Sequence, residues 1–118
     1  MRDQEARDAW ESLRNWVEWM TVRYDISASL VPDCWWKHGA LVEELSALHC
    51  AHRAAFHPTD TGNGPITWHA HFANAIPRLR NAYNGGCSKG HNTRRPRSWA
   101  RARDIEEWEA WINQSHAH

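Results

Sequence analysis

No stretch of this 118-residue chain approaches the length of apolar sequence, about twenty residues, that a membrane-spanning helix needs. Its first residues alternate acid and base, without the apolar segment a secretory signal requires. Cysteine is scarce and odd in number, three in all, so a disulfide framework is a poor fit. Two of the three serve better as metal ligands, and a reducing cytoplasm is the natural compartment. Acid is missing altogether from residues 61–103, which hold eight bases: Arg78, Arg80, Lys89, Arg94, Arg95, Arg97, Arg101 and Arg103. Residues 1–60 carry ten acids and six bases, and 104–118 four acids and no base, so a net charge of zero conceals a strong polarity. Internal repeats and low-complexity tracts are also lacking. So is any legible Ser/His/Asp or paired-carboxylate arrangement.

What is abundant is tryptophan and histidine, nine of each. Two runs, Cys34-Trp-Trp-Lys-His38 and Cys87-Ser-Lys-Gly-His91, place a thiol four residues ahead of an imidazole. Together they supply two sulfurs and two nitrogens, the donor set of a closed tetrahedral zinc site. The 48 residues between His38 and Cys87 match no standard zinc-finger spacing. Spacing alone therefore leaves two readings open, a structural Zn2+ or incidental buried thiols beside solvated histidines.

Helical periodicity organises the rest. Residues 3–24 read as a helix with Trp10, Leu13, Val17, Met20 and Tyr24 on one stripe and Trp16 at its flank. Trp19 falls on the far side, an exposed-aromatic candidate unless another element covers it. A break over 25–32 ends in Pro32. A second helix is expected from about Asp33 to Phe56, with Leu41, Leu45 and Leu48 sharing a face with Cys34 and His38. On that stripe His52 reads as a core histidine with a hydrogen-bond partner, or else as a further ligand. Cys50 reads as a small buried residue. Turn formers over 57–66 make a loop, and Thr67 can cap a third helix to about Tyr83. Trp68, Phe72, Ala75, Ile76, Leu79 and Tyr83 line its inner face, with Pro77 opposite. His69 and His71 diverge and cannot both face one metal. A glycine-rich ligand loop follows, then an arginine-rich loop at about 88–98. Ser98 can cap a last helix at about 98–114, with Ile105, Trp108 and Ile112 as its stripe and Trp111 beside it. The expected fold is all-α: a single domain over 1–118, a small bundle of about four helices pinned by one zinc.

The pattern Trp10…Trp16-Val17…Trp19, Cys34-Trp35-Trp36-Lys37-His38, Trp68…Leu79 and Gly86-Cys87…His91 resembles a small Trp-rich domain family encoded by actinobacterial phages, plasmids and other integrated elements. The resemblance covers roughly residues 8–91, and its most specific parts are the Cys-Trp-Trp-x-His and Gly-Cys…His runs. Members share those Cys and His positions, which supports Cys34, His38, Cys87 and His91 as the ligands. The family carries no established activity, so the resemblance implies a mobile-element origin in a bacterial host and little more.

Three functional classes follow. The acid-free block is suited to DNA or RNA phosphates, with Trp99 among the arginines able to stack on a base, unless the block is merely a solvated face. That makes a zinc-stabilised, non-enzymatic regulator the first expectation. A module that intercepts a host or phage protein through exposed Trp and Arg is the alternative, with Trp19 and Trp36 the residues to watch. The two separate on where the exposed aromatics sit: away from the basic block, they favour a protein partner. A metal-dependent nuclease using His69, His71 or His91 is the remote third, since two complete Cys/His pairs leave no position for water.

Overall fold

In the computed structural model, residues 2–87, 90–92, 97 and 105–114 are described. The elements are α1 (Asp3–Arg23), a 3₁₀ turn (Trp35–Lys37), α2 (Gly39–Ala55), α3 (Gly64–Tyr83) and α4 (Ile105–Ile112). There is no strand among the described residues, so the all-α expectation holds. No helix there is long and apolar enough to cross a membrane.

Helix α2 is the centre of the fold: α1, α3 and the 3₁₀ turn all pack on it. Its Leu41, Leu45 and Leu48 meet Leu13, Trp16, Val17 and Met20 of α1 and Trp68, Phe72, Ala75, Leu79 and Tyr83 of α3 in one core. Burying aromatic and aliphatic groups of this size supplies most of the driving force for folding. Trp68 is 1 % exposed, stacks on Phe72 with ring centroids 4.9 Å apart, and donates its indole N–H to the Leu48 carbonyl at 3.1 Å. That bond satisfies the Trp68 indole, whereas the buried Trp16 indole N–H finds no partner among the described residues.

The α2–α3 corner is set by Asp60, whose carboxylate accepts the amides of Gly62 (2.8 Å) and Gly64 (3.0 Å). A Cβ at Gly64 would collide with the Ala55 carbonyl and the Asp60 carboxylate, so the corner admits only glycine without rearrangement.

Several expectations need correction. The second helix begins at Gly39, so Cys34 and His38 do not share its face; the 3₁₀ turn lies between them. Helix α3 starts at Gly64 with Pro65 in its first turn, the position proline favours, and Thr67 is not its cap. Trp10 is 49 % exposed while its neighbour Trp16 is 8 % exposed and carries the core role. Cys50 is exposed. The Nε2 of His52 is buried with no hydrogen-bond partner among the described residues, and the ring packs against Phe56 and Trp68. The stripe of α4 is exposed at Ile105, Trp108 and Ile112, and among the described residues α4 makes no helix–helix packing. Ser98 and most of the expected arginine-rich loop lie outside the described residues.

Candidate metal centre

Two connections meet at one end of the α2–α3 pair. The first precedes α2. There the Pro32 carbonyl accepts the Trp35 amide (3.0 Å), Cys34 accepts Lys37 (2.9 Å) and Trp35 accepts His38 (3.0 Å), winding a tight turn. Trp35, 6 % exposed, anchors that turn in the core and leaves Cys34 and His38 on either side of it.

The second connection follows α3. Asn84 at φ 60°, Gly85 at 75° and Gly86 at 100° reverse the chain through left-handed backbone that glycine and asparagine tolerate best. The reversal delivers Cys87, whose amide donates to the buried Tyr83 hydroxyl at 2.6 Å. The Gly90 amide then closes on the Cys87 carbonyl at 3.1 Å and sets up His91.

The donor atoms of Cys34, His38, Cys87 and His91 all lie within 4.8 Å of one another. Cys34 Sγ and Cys87 Sγ are each 3.5 Å from His38 Nε2, and Cys87 Sγ is 3.9 Å from His91 Nδ1. A tetrahedral ion with sulfur at about 2.3 Å and nitrogen at about 2.0–2.1 Å would separate its ligands by roughly 3.3–3.8 Å. The group could hold a metal ion with little movement. Supporting groups are in place too: the Asn92 amide donates to Cys87 Sγ at 3.3 Å, and the His38 ring stands edge-on to Tyr83 with centroids 5.3 Å apart. Such outer contacts fix ligand orientation.

Electrostatics favour the neutral thiol here unless a cation is bound. Burial pushes the Cys34 thiol pKa up, and the neighbouring Cys87 sulfur adds to the shift by hydrogen bond and by like charge. Burial, then the contact with Cys87, raises the Tyr83 phenol as well. Two thiolates this close repel unless a cation lies between them, and a coordinating cation reverses the preference by holding both deprotonated.

All four sequence-nominated ligands are thus brought together. His52 and His69 belong instead to an aromatic cluster with Trp16, Tyr24 and Trp68, and His71 is exposed. Of the basic block, Arg78 pairs with Glu44 at 3.2 Å, and Arg80 and Arg97 are exposed. Lys89, Arg94, Arg95, Trp99, Arg101 and Arg103 lie outside the described residues. Trp19 is 45 % exposed yet edge-on to Tyr24 and His52, so it is partly a packing residue. Trp36 is 54 % exposed with the Lys37 ammonium 5.1 Å above its ring. Tyr83 as a buried support of the ligand loop escaped the sequence reading; its place four residues before Cys87, at the end of an apolar stripe, was the available signal. No protein-family model, curated protein or solved structure matches the chain.

Proposed function

We propose that this chain is a non-enzymatic binding module whose fold is held by one structural zinc ion, and that its basic 78–103 region engages nucleic acid. The observation that carries the zinc reading is the convergence of two thiols and two imidazoles from connections 48 residues apart. Soft sulfur with imidazole, in tetrahedral spacing, selects zinc over magnesium or calcium. Four protein ligands leave no open position for a reacting water, so the ion would serve structure. The resemblance to mobile-element domains fits a small regulatory protein working in a bacterial cytoplasm.

The nucleic-acid reading is supported by charge: an acid-free tract flanks the second ligand pair on both sides, and phosphate binding rewards such clustering. Metal analysis of the purified protein should give one zinc per chain. A gel shift with duplex DNA and with single-stranded RNA at low salt should show binding that weakens steeply with added salt. Replacing Arg94, Arg95 and Arg97 with alanine should abolish the shift and leave the circular dichroism spectrum intact. Absence of any shift in the parent protein overturns the nucleic-acid reading and leaves the zinc reading standing.

A second reading, a protein-binding module, draws support from where exposed aromatics sit. Trp10 and Trp36 line a groove to which α3, the helix of Arg78 and Arg80, contributes no residue.

A further inference from the structure

Between α1 and the segment leading into the 3₁₀ turn runs a groove of about 670 Å³. Val17, Val31, Pro32 and Trp35, all buried, give it an apolar floor. Trp10 from α1 and Trp36 from the turn line it with about half of each residue's surface exposed. Its charged lining is Glu11, Glu18, Asp33 and Arg14. The Arg14 guanidinium is taken by Glu18 at 3.2 Å, whereas Glu11 and Asp33 make no ion pair among the described residues. The groove therefore presents two indole surfaces and a net negative rim over a hydrophobic base.

We infer that this groove receives a cationic, arginine- or lysine-bearing segment of a partner protein. Three features converge on that chemistry. Indole faces attract ammonium and guanidinium groups, and Trp36 already holds the Lys37 ammonium over its ring in this chain. The carboxylates of Glu11 and Asp33 offer charge-assisted acceptors for the same heads. The apolar floor accommodates the aliphatic stems that carry those heads, and interleaved apolar side chains. A polyanion meets the opposite potential here, so nucleic acid is a poor occupant of this face. The inference rests on the protein-binding reading and gives its partner a chemical class.

Fluorescence anisotropy tests it with a fluorescein-labelled peptide alternating arginine and leucine, beside glutamate–leucine and serine–leucine peptides and a labelled single-stranded DNA. The arginine peptide should saturate at low salt and weaken as salt rises. Trp10→Ala and Trp36→Ala should each weaken it about tenfold, in the range of aromatic anchors at interfaces. The double change Glu11→Gln with Asp33→Asn should cost about threefold to fivefold at low salt. Trp10 lies on α1, which supplies no metal ligand, so Trp10→Ala keeps the test valid even if Trp36→Ala, or the Asp33→Asn change beside Cys34, disturbs the ligands. Failure of the arginine peptide to saturate, or binding indifferent to all these variants, overturns the inference. If the glutamate or serine peptide binds in a Trp10-dependent way instead, the protein-binding reading survives and the cationic occupant is overturned. Trp10-dependent binding of the DNA overturns both.

Discussion

His52 sits half-buried with the rings of Trp16, Trp19, Phe56 and Trp68 around it, the closest being Phe56, stacked at 4.3 Å. Burial is the main cause that lowers its pKa, and the like-signed His69 adds to it; His49 is lowered by burial first, then by Arg53 and His52. The native state thus keeps both imidazoles neutral where the unfolded chain takes up protons at the ordinary value of about 6.5. Their contribution is fully present above that value and is lost as pH falls through it toward the lowered native pKa values. The melting temperature should drop between about pH 7.5 and pH 5.5, and His52→Leu should make that drop shallower. The variant comparison isolates His52, because acid also protonates the metal-site imidazoles in both proteins. Equal slopes would remove His52 from the account. Gly64 supports a second expectation at this scale. The collision of a new Cβ with the Ala55 carbonyl and Asp60 carboxylate should make Gly64→Ala cost about 1–3 kcal/mol in denaturant unfolding, with no loss of metal.

Helices α3 and α1 show what hydrophobic period can and cannot convey. In α3 every residue from the predicted inner face except Ile76, which is partly buried, is in the core: Trp68, Phe72, Ala75, Leu79 and Tyr83. In α1 the same period points Trp10 inward, yet nothing before Leu13 is buried. A gap of about 280 Å³ separates the first half of α1 from Val42, Ser46 and His49 of α2. Period fixes the direction of a side chain; whether a partner reaches it is a property of the assembled fold. The ligand pair was legible for a related reason. A Cys-x₃-His spacing brings donors together on a helix or around a 3₁₀ turn followed by a helix start, so the residues were correct while the element was wrong. Helix α4 carries the expected apolar stripe, but Ile105, Trp108, Trp111 and Ile112 are between 43 % and 58 % exposed. A chain ended after Asp104 should therefore melt within about 3 °C of the full chain, since little apolar area buried by the core is removed. A larger fall would place α4 within the cooperative unit.

At the scale of the whole molecule, the donor cluster would act as a clasp once it holds a metal ion. It would then join the connection before α2 to the connection after α3, closing a loop that contains both helices. Structural zinc binds finger peptides with about 10–16 kcal/mol of apparent free energy, comparable to the roughly 5–15 kcal/mol that a whole domain holds in reserve. Withdrawing an ion would also leave two thiols and a phenol crowded together, Cys87 and Tyr83 buried and Cys34 half-buried. Chelator titration followed by circular dichroism should therefore show a large loss of helicity as metal leaves, reversed on adding zinc. Cys87→Ala should behave like the chelated protein, because that sulfur lies within 4 Å of both imidazoles and also accepts the Asn92 amide. His91→Cys is the discriminating change. The His91 nitrogen that approaches Cys87 Sγ is Nδ1, the one nearer the backbone, so a thiolate at this position would reach nearly the same point, and Gly90 at φ 118° gives the loop room to adjust. That variant should retain one metal ion and most of the helicity, whereas His91→Ala should lose both. Unchanged helicity after complete metal removal would show that the aromatic core alone carries the fold, and the clasp would then be a bound ion without a structural task.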